Sequence, residues 1–358
     1  MKLQWIYLSL VLVLPTVATI CCGMNDFRYI PYQESIADEY RHNQTAIADA
    51  FQAVDCRFVL GSPRIIDSVP ARVKTAKVTQ KDMNLALARF RNINVEIANI
   101  KKVALADIFQ PMFVADFAAK QKYGGDFKIL DKDGVHLGLA GQLIMNYGFL
   151  KGMGANGDLG AIAYDEGTGI VSPTLGHVVV AVEKGMITLR SARIPFSSGL
   201  GAVDRDDSIR SVLAQVSFDD EMNWNILWMQ QPQAPHYRVT WGEQSNDYNA
   251  RQLEDGISLA KSFDNHPLNW AFRRVFDVVV CKQEYETRQI KTLVHGPEGA
   301  MDLEPTFALT EKVRDQLEKV VRNSEQPLEQ VIVVSVPLSV TEKGRGYDFY
   351  RGETDRFL

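Results

Sequence analysis

Cysteine is scarce in this chain, with four in 358 residues. Cys21, Cys22, Cys56 and Cys281 form no Cys-x-x-Cys pair. That spacing excludes a zinc ribbon or a thioredoxin-like redox motif. An excess of basic charge is also missing: 39 Lys and Arg stand against 44 Asp and Glu, a formal net charge of −5. A protein that tracks phosphates shows a basic stripe, so nucleic acid is not an expected partner. Internal repeats are absent. Gly152-Met153-Gly154-Ala155-Asn156-Gly157 spells the dinucleotide fingerprint, but it follows an expected helix, whereas the fingerprint follows a strand and opens a helix. Helix-ending glycines explain it better. His177, His236, His266 and His295 have no metal-ligand spacing.

Long apolar runs are equally few. Leu3 to Leu14 is one, and after Met1-Lys2 it has the shape of a signal peptide, with Thr16 and Ala18 as small residues near a possible cut. Pro15 to Cys22 also reads as a buried parallel strand ending at Gly23, which a cut after Ala18 would destroy. Both readings stand. The first implies a secreted or periplasmic protein, or membrane association through residues 1–20. No other stretch is apolar and long enough to span a bilayer.

What is present is an alternation of strands and helices from Thr16 to Gly154. Strands are expected at Val17 to Cys22, Arg57 to Leu60 and Val103 to Ile108. Helices are expected near Glu34 to Val54, Asp82 to Ile100, Met112 to Lys122 and from His136 to Gly152 or Gly154. This order predicts a parallel sheet with helices on both faces. After Gly154 the pattern changes to short runs between turns. Asp158 to Tyr164, His177 to Val182, Met186 to Arg190, Ser211 to Phe218, Asn225 to Met229 and Tyr237 to Trp241 predict a small antiparallel β domain. Two helices, about Leu268 to Leu293 and Pro305 to Arg322, precede a strand at Val331 to Val336. Expected boundaries are 15–157, 158–262 and 263–340, with a loose tail over 341–358. Asn43-Gln44-Thr45 fits a glycosylation sequon but falls within an expected helix. Trp224, Trp228, Tyr237 and Trp241, at strand spacing, suit a core better than a sugar-stacking surface.

Two short motifs carry chemistry. Gly23-Met24-Asn25-Asp26 stands where a strand ends, the position at which open α/β sheets build their sites. An amide held there can donate to a developing oxyanion. Asp133-Gly134-Val135-His136 places an aspartate three residues before a histidine, able to accept from Nδ1 and leave Nε2 free as a base. Each motif alone is compatible with an ordinary turn.

Together, Cys22-Gly23-Met24-Asn25-Asp26 with Tyr29 and Pro31, and Asp133-Gly134-Val135-His136 leading into a Gly- and Ala-containing helix, resemble the SGNH (GDSL-type) hydrolase family. The resemblance covers about Pro15 to Asp158 and continues more weakly through Tyr237 to Gly242 and Gln252 to Gly256. It implies a flavodoxin-like three-layer αβα domain and acyl transfer from an ester. His136 would be the base, Asp133 its orienting partner and Asn25 an oxyanion donor, with Gly23 and Asp26 supporting the motif. No metal or organic cofactor is implied, and the substrate would be a small-molecule or carbohydrate ester. Leu137 departs from the family, where proline usually follows this histidine; such a proline presets a helix start, so the change costs little chemistry.

The family also requires a Gly-Asp-Ser segment upstream of Gly23, and this chain shows none. Ser9 lies in the apolar run without Gly-Asp before it. Ser62, in Gly61-Ser62-Pro63, matches a strand-end turn. The nucleophile is therefore unassigned, and the expectation is a sheet incomplete at its N-terminus with negligible turnover. Val331 to Val336 is a conceivable filler for the exposed strand edge this leaves. The alternative reading is a non-catalytic, exported or membrane-anchored ligand-binding protein built on the same fold.

Overall fold

The computed structural model describes residues 15–74, 78–198, 202–206 and 208–337. The run Leu3 to Leu14 and the expected tail over 341–358 lie outside the described residues. The chain divides into two compact units: Met1–Asp158 with Ser198–Trp224, and Leu159–Ser197 with Asn225–Leu358. The described residues between Ser198 and Trp224 thus group with the first unit, although they fall inside the stretch expected to be β-rich.

The first unit is built on three parallel strands in the order β1 (Val17–Cys21), β2 (Arg57–Gly61) and β3 (Ala104–Ala106). Helix α1 (Glu34–Gln52) follows β1, and α2 (Gln80–Lys101) follows β2. Tyr40 of α1 stacks on Phe90 of α2 with ring centroids 4.1 Å apart. Asn94, buried in α2, donates to the Tyr40 hydroxyl and to the Gly61 carbonyl, each at 3.0 Å. These bonds fix both helices against one face of β2. Thr79 and Asp82 start α2 with a reciprocal capping box, which satisfies two otherwise orphaned N–H groups.

The other face is covered by α4 (Leu139–Gly152), which follows α3 (Phe109–Tyr123). Close approach depends on glycine. A Cβ on Gly152 would lie 2.9 Å from the Leu105 carbonyl oxygen and from a Val59 methyl group. Val59 faces α4 while Phe58, the next residue back, stacks on Phe51 of the α1 end, as the two-residue period of a strand requires. The expected three-layer αβα architecture is present. α4 ends at Gly152, and Gly154 and Gly157 take positive φ angles of 77° and 64°, so this glycine run terminates a helix.

Two expectations fail here. Ser211 to Phe218 forms no strand; the segment holds helices α5 (Arg210–Leu213) and α6 (Phe218–Met222). Its buried residues Val212 and Val216 are four apart, a helical spacing rather than a strand's alternation. Val331 to Val336 does not fill the edge beside β1, for it lies in the second unit. Among the described residues nothing pairs with the outer edge of β1, and Val17 is correspondingly exposed.

The second unit has two antiparallel sheets. Its strands are β4 (Asp158–Asp165), β5 (Ile170–Pro173), β6 (His177–Glu183), β7 (Met186–Ser191), β8 (Trp224–Gln230), β9 (His236–Trp241), β10 (Gln244–Asn249), β11 (Ile257–Ser258) and β12 (Leu328–Ser335). One sheet has the order β10-β9-β12-β7-β6 and the other β11-β8-β4-β5. β12 is central, paired with β7 on one side and β9 on the other, and it is one-faced: Ile332 and Val334 are buried while Val331 is exposed, unlike a strand covered on both sides. Inner-face residues of both sheets share one core, including Ile162, Leu227, Leu189, Val239, Trp241 and Ile332. Tyr237 and Trp241 are fully buried, so packing rather than sugar stacking explains these two aromatics.

The helices of the second unit are α7 (Ala250–Asp255), α8 (Leu259–Ser262), α9 (Asn269–Arg288), α10 (Pro297–Met301) and α11 (Leu303–Ser324), with a π-helical turn over Gln289–Val294. A polar chain crosses the core of this unit. Trp241 donates to Gln330, Gln330 to Ser191, and Ser191 is bonded to His177 Nδ1 at 2.7 Å. All four residues are buried. This Ser–His pair therefore serves packing, with no route for a substrate.

Candidate active site

Parallel strands put all their carboxyl ends on one side. The segment after β1 begins with Gly23, whose φ is +124° and whose added Cβ would lie 2.7 Å from the Pro63 Cβ. Only glycine fits both conditions. The Asp26 carboxylate accepts from Gly23 N at 2.8 Å, and Met24 and Phe27 are buried as anchors. Asn25 is left exposed between them, and its side-chain amide makes no hydrogen bond among the described residues.

The Asp133–His136 turn is equally constrained. Gly134 has φ +70°, and a Cβ there would lie 2.0 Å from Ser68 Oγ. Asp131 N donates to the His136 carbonyl at 2.8 Å, and Val135 is buried beneath the turn. The Asp133 Oδ1 accepts from the backbone N–H groups of Val135 and His136, both at 2.9 Å. Its Oδ2 meets His136 Nδ1 at 2.5 Å. The two backbone N–H groups, then the imidazole, hold the Asp133 carboxyl well below the usual carboxylate range. The aspartate therefore stays ionised at neutral pH and selects the tautomer with Nε2 free. The imidazole is exposed, and α4 starts three residues later. Leu137 pairs with Leu130 in an isolated bridge.

The segment between β2 and α2 joins the two motifs, and the sequence did not mark it. On one side Pro63 packs under Gly23, and Arg72 donates to the Tyr29 hydroxyl at 2.8 Å. On the other, Asp67 N donates to the Gly134 carbonyl at 2.9 Å and Arg64 Nε to the Val135 carbonyl at 2.8 Å. Lys120 of α3 holds the same segment through Asp67 and pairs within its own helix with Asp116. The available signal was a lone Arg64 immediately beyond a strand's carboxyl end.

The candidate nucleophiles near this end are engaged elsewhere. Ser62 is fully buried, and its Oγ accepts from Ile108 N at 2.8 Å and Phe109 N at 2.9 Å, capping the start of α3. Burial pushes the Cys21 thiol up to about 12 and raises Cys22 as well, so neither is a thiolate at neutral pH. Among the described residues no hydroxyl or thiol bonds to the His136 ring. None of them form a group of three or more His, Cys, Asp or Glu suited to a metal ion, and none of the described helices is long and apolar enough to cross a membrane. A cleft of about 460 Å³ lined by Asp107, Tyr147, Lys151 and Gln215 contains neither motif.

No protein-family model matches the chain, and no curated protein matches it. Solved structures do. A gut microbial diltiazem-metabolizing enzyme superposes with a TM-score of 0.65 over 90% of this chain and 84% of its own, at 19% identity. That match establishes a shared fold. An acetylxylan esterase from Geobacillus stearothermophilus overlaps 43% of this chain and 66% of its own (TM-score 0.33, 18% identity). A GDSL-like lipase from Parabacteroides merdae overlaps 39% and 61% (TM-score 0.30, 16% identity).

Proposed function

We propose that the first unit is an SGNH-type ester hydrolase scaffold. The observation that carries this is the Asp133–His136 pair. It is a carboxylate held ionised by two backbone N–H groups and bonded to Nδ1 of an imidazole whose Nε2 is free, at the end of the sheet where the Asn25 amide is also uncommitted. In acyl transfer His136 takes the proton of the attacking hydroxyl through Nε2 and returns it to the leaving alcohol. Asp133 orients the ring and stabilises the imidazolium, and Asn25 donates to the tetrahedral oxyanion. The ligand class is a small-molecule or carbohydrate ester.

Among the described residues no hydroxyl or thiol is bonded to the His136 ring, and turnover of p-nitrophenyl acetate is expected to be about a million-fold below that of an intact serine triad. Robust turnover abolished by His136→Ala would overturn the missing-nucleophile part and leave the dyad assigned. Robust turnover surviving both His136→Ala and Asn25→Ala would overturn the whole assignment. The absence of a hydroxyl or thiol at His136 Nε2 among the described residues also favours a second reading, a binding protein that holds an ester without cleaving it. Saturable ester binding without burst or turnover distinguishes that reading.

A further inference from the structure

Arginine is rarely withdrawn from water without a carboxylate beside it, because desolvating a guanidinium is costly unless its charge is compensated. Arg64 is half-buried at the carboxyl end of β2, and burial lowers its pKa. Among the described residues it forms no ion pair, and its one hydrogen bond is from Nε to the Val135 carbonyl. Asp133 is near enough to act on it electrostatically, as are Tyr29 and Cys21. Asp133, however, already accepts from two N–H groups of its own turn and from His136, and makes no hydrogen bond to Arg64 among the described residues. The guanidinium is thus fixed in orientation by Nε, with both terminal nitrogens uncommitted, between the loop carrying Asn25 and the turn carrying His136.

We propose that Arg64 is the recognition site for a carboxylate on the ligand, so that the esters this site takes are acylated hydroxy acids rather than neutral esters. A guanidinium with Nε engaged still presents two N–H donors side by side, the geometry that grips both oxygens of a carboxylate. A single negative charge matches the one guanidinium that Arg64 presents. A phosphate dianion would meet the ionised Asp133 with only one positive charge to offset it. The choice of ligand rests on the ester reading above; the anion site itself does not.

The test is binding of O-acetyl-lactate, its methyl ester and free lactate to the ¹⁵N-labelled protein. It follows the Arg64 Nε–H, Asn25 amide and His136 ring signals. O-acetyl-lactate is expected to bind about tenfold more tightly than the methyl ester, with all three signals moving together. Arg64→Gln is expected to erase that preference, bringing the affinities of the two esters together, and Arg64→Lys to retain part of it, keeping the charge without the fork. Equal affinity for the two esters in the wild type overturns the inference even if the variants fold poorly. So does a preference that persists in Arg64→Gln. Lactate moving the Arg64 signal, with neither ester moving Asn25 or His136, upholds the anion site and sinks the ester reading. No shift at Arg64 with any of the three overturns the anion site.

Discussion

Arg64 donates its Nε–H to the Val135 carbonyl over 2.8 Å, and that bond ties the segment after β2 to the turn that presents His136. The same segment packs Pro63 under Gly23. Two motifs more than a hundred residues apart in sequence are thereby referred to one polar connection rather than to each other.

The turn that carries the dyad depends on Gly134. Alanine there meets both a positive φ and the Ser68 side chain, and is expected to destabilise the first unit by about 1–3 kcal/mol. The His136 Nδ1–H resonance, which the bond to Asp133 is expected to make observable by NMR in the wild type, is expected to broaden or vanish in the variant. A Gly134→Ala protein with unchanged melting and an intact signal would contradict this view of the turn.

Ser62 is expected to behave as a helix cap. Ser62→Ala leaves the buried Ile108 and Phe109 N–H groups unpaired, a loss of about 1–3 kcal/mol in denaturant unfolding. Labelling by a fluorophosphonate, a probe of activated serines, is expected to be the same before and after the change. Labelling that disappears with Ser62 would make it a nucleophile after all.

His266 is buried and stacked 4.4 Å from Trp241, and burial lowers its pKa to about 4 from 6.5. Because the unfolded chain binds the proton more readily, stability from this site is complete above about pH 6.5 and falls as the pH drops towards 4. Between pH 7 and pH 4.5 the wild type is expected to lose about 2 kcal/mol more than His266→Phe, which keeps the stack without the titration. Parallel pH dependences in the two proteins would contradict this.

The parallel half of the fold was legible because Val17 to Cys22 and Arg57 to Leu60 are short apolar runs spaced by amphipathic helices, a pattern with one common solution. Asp133 and His136 were legible because their contact is local, three residues apart. The β2–α2 connection was not, since its work is done by bonds from Arg64, Asp67 and Arg72 to residues distant in sequence, which no local pattern encodes. For the same reason the sequence suggested one β domain but not its division into two sheets, nor the central place of β12. At Ser211 to Phe218 short-range alternation misled, because Val212 and Val216 are buried on one side of a helical segment.

The most direct test of the account is a titration of the ¹⁵N-labelled protein with N-propylacetamide, a neutral and uncleaved stand-in for an acetyl ester. If the Asn25 side chain and the Asp133–His136 pair serve one acyl group, the Asn25 amide and the His136 ring nitrogens will shift together, with the same Kd. Shifts at only one of them, or at both with different affinities, would contradict it.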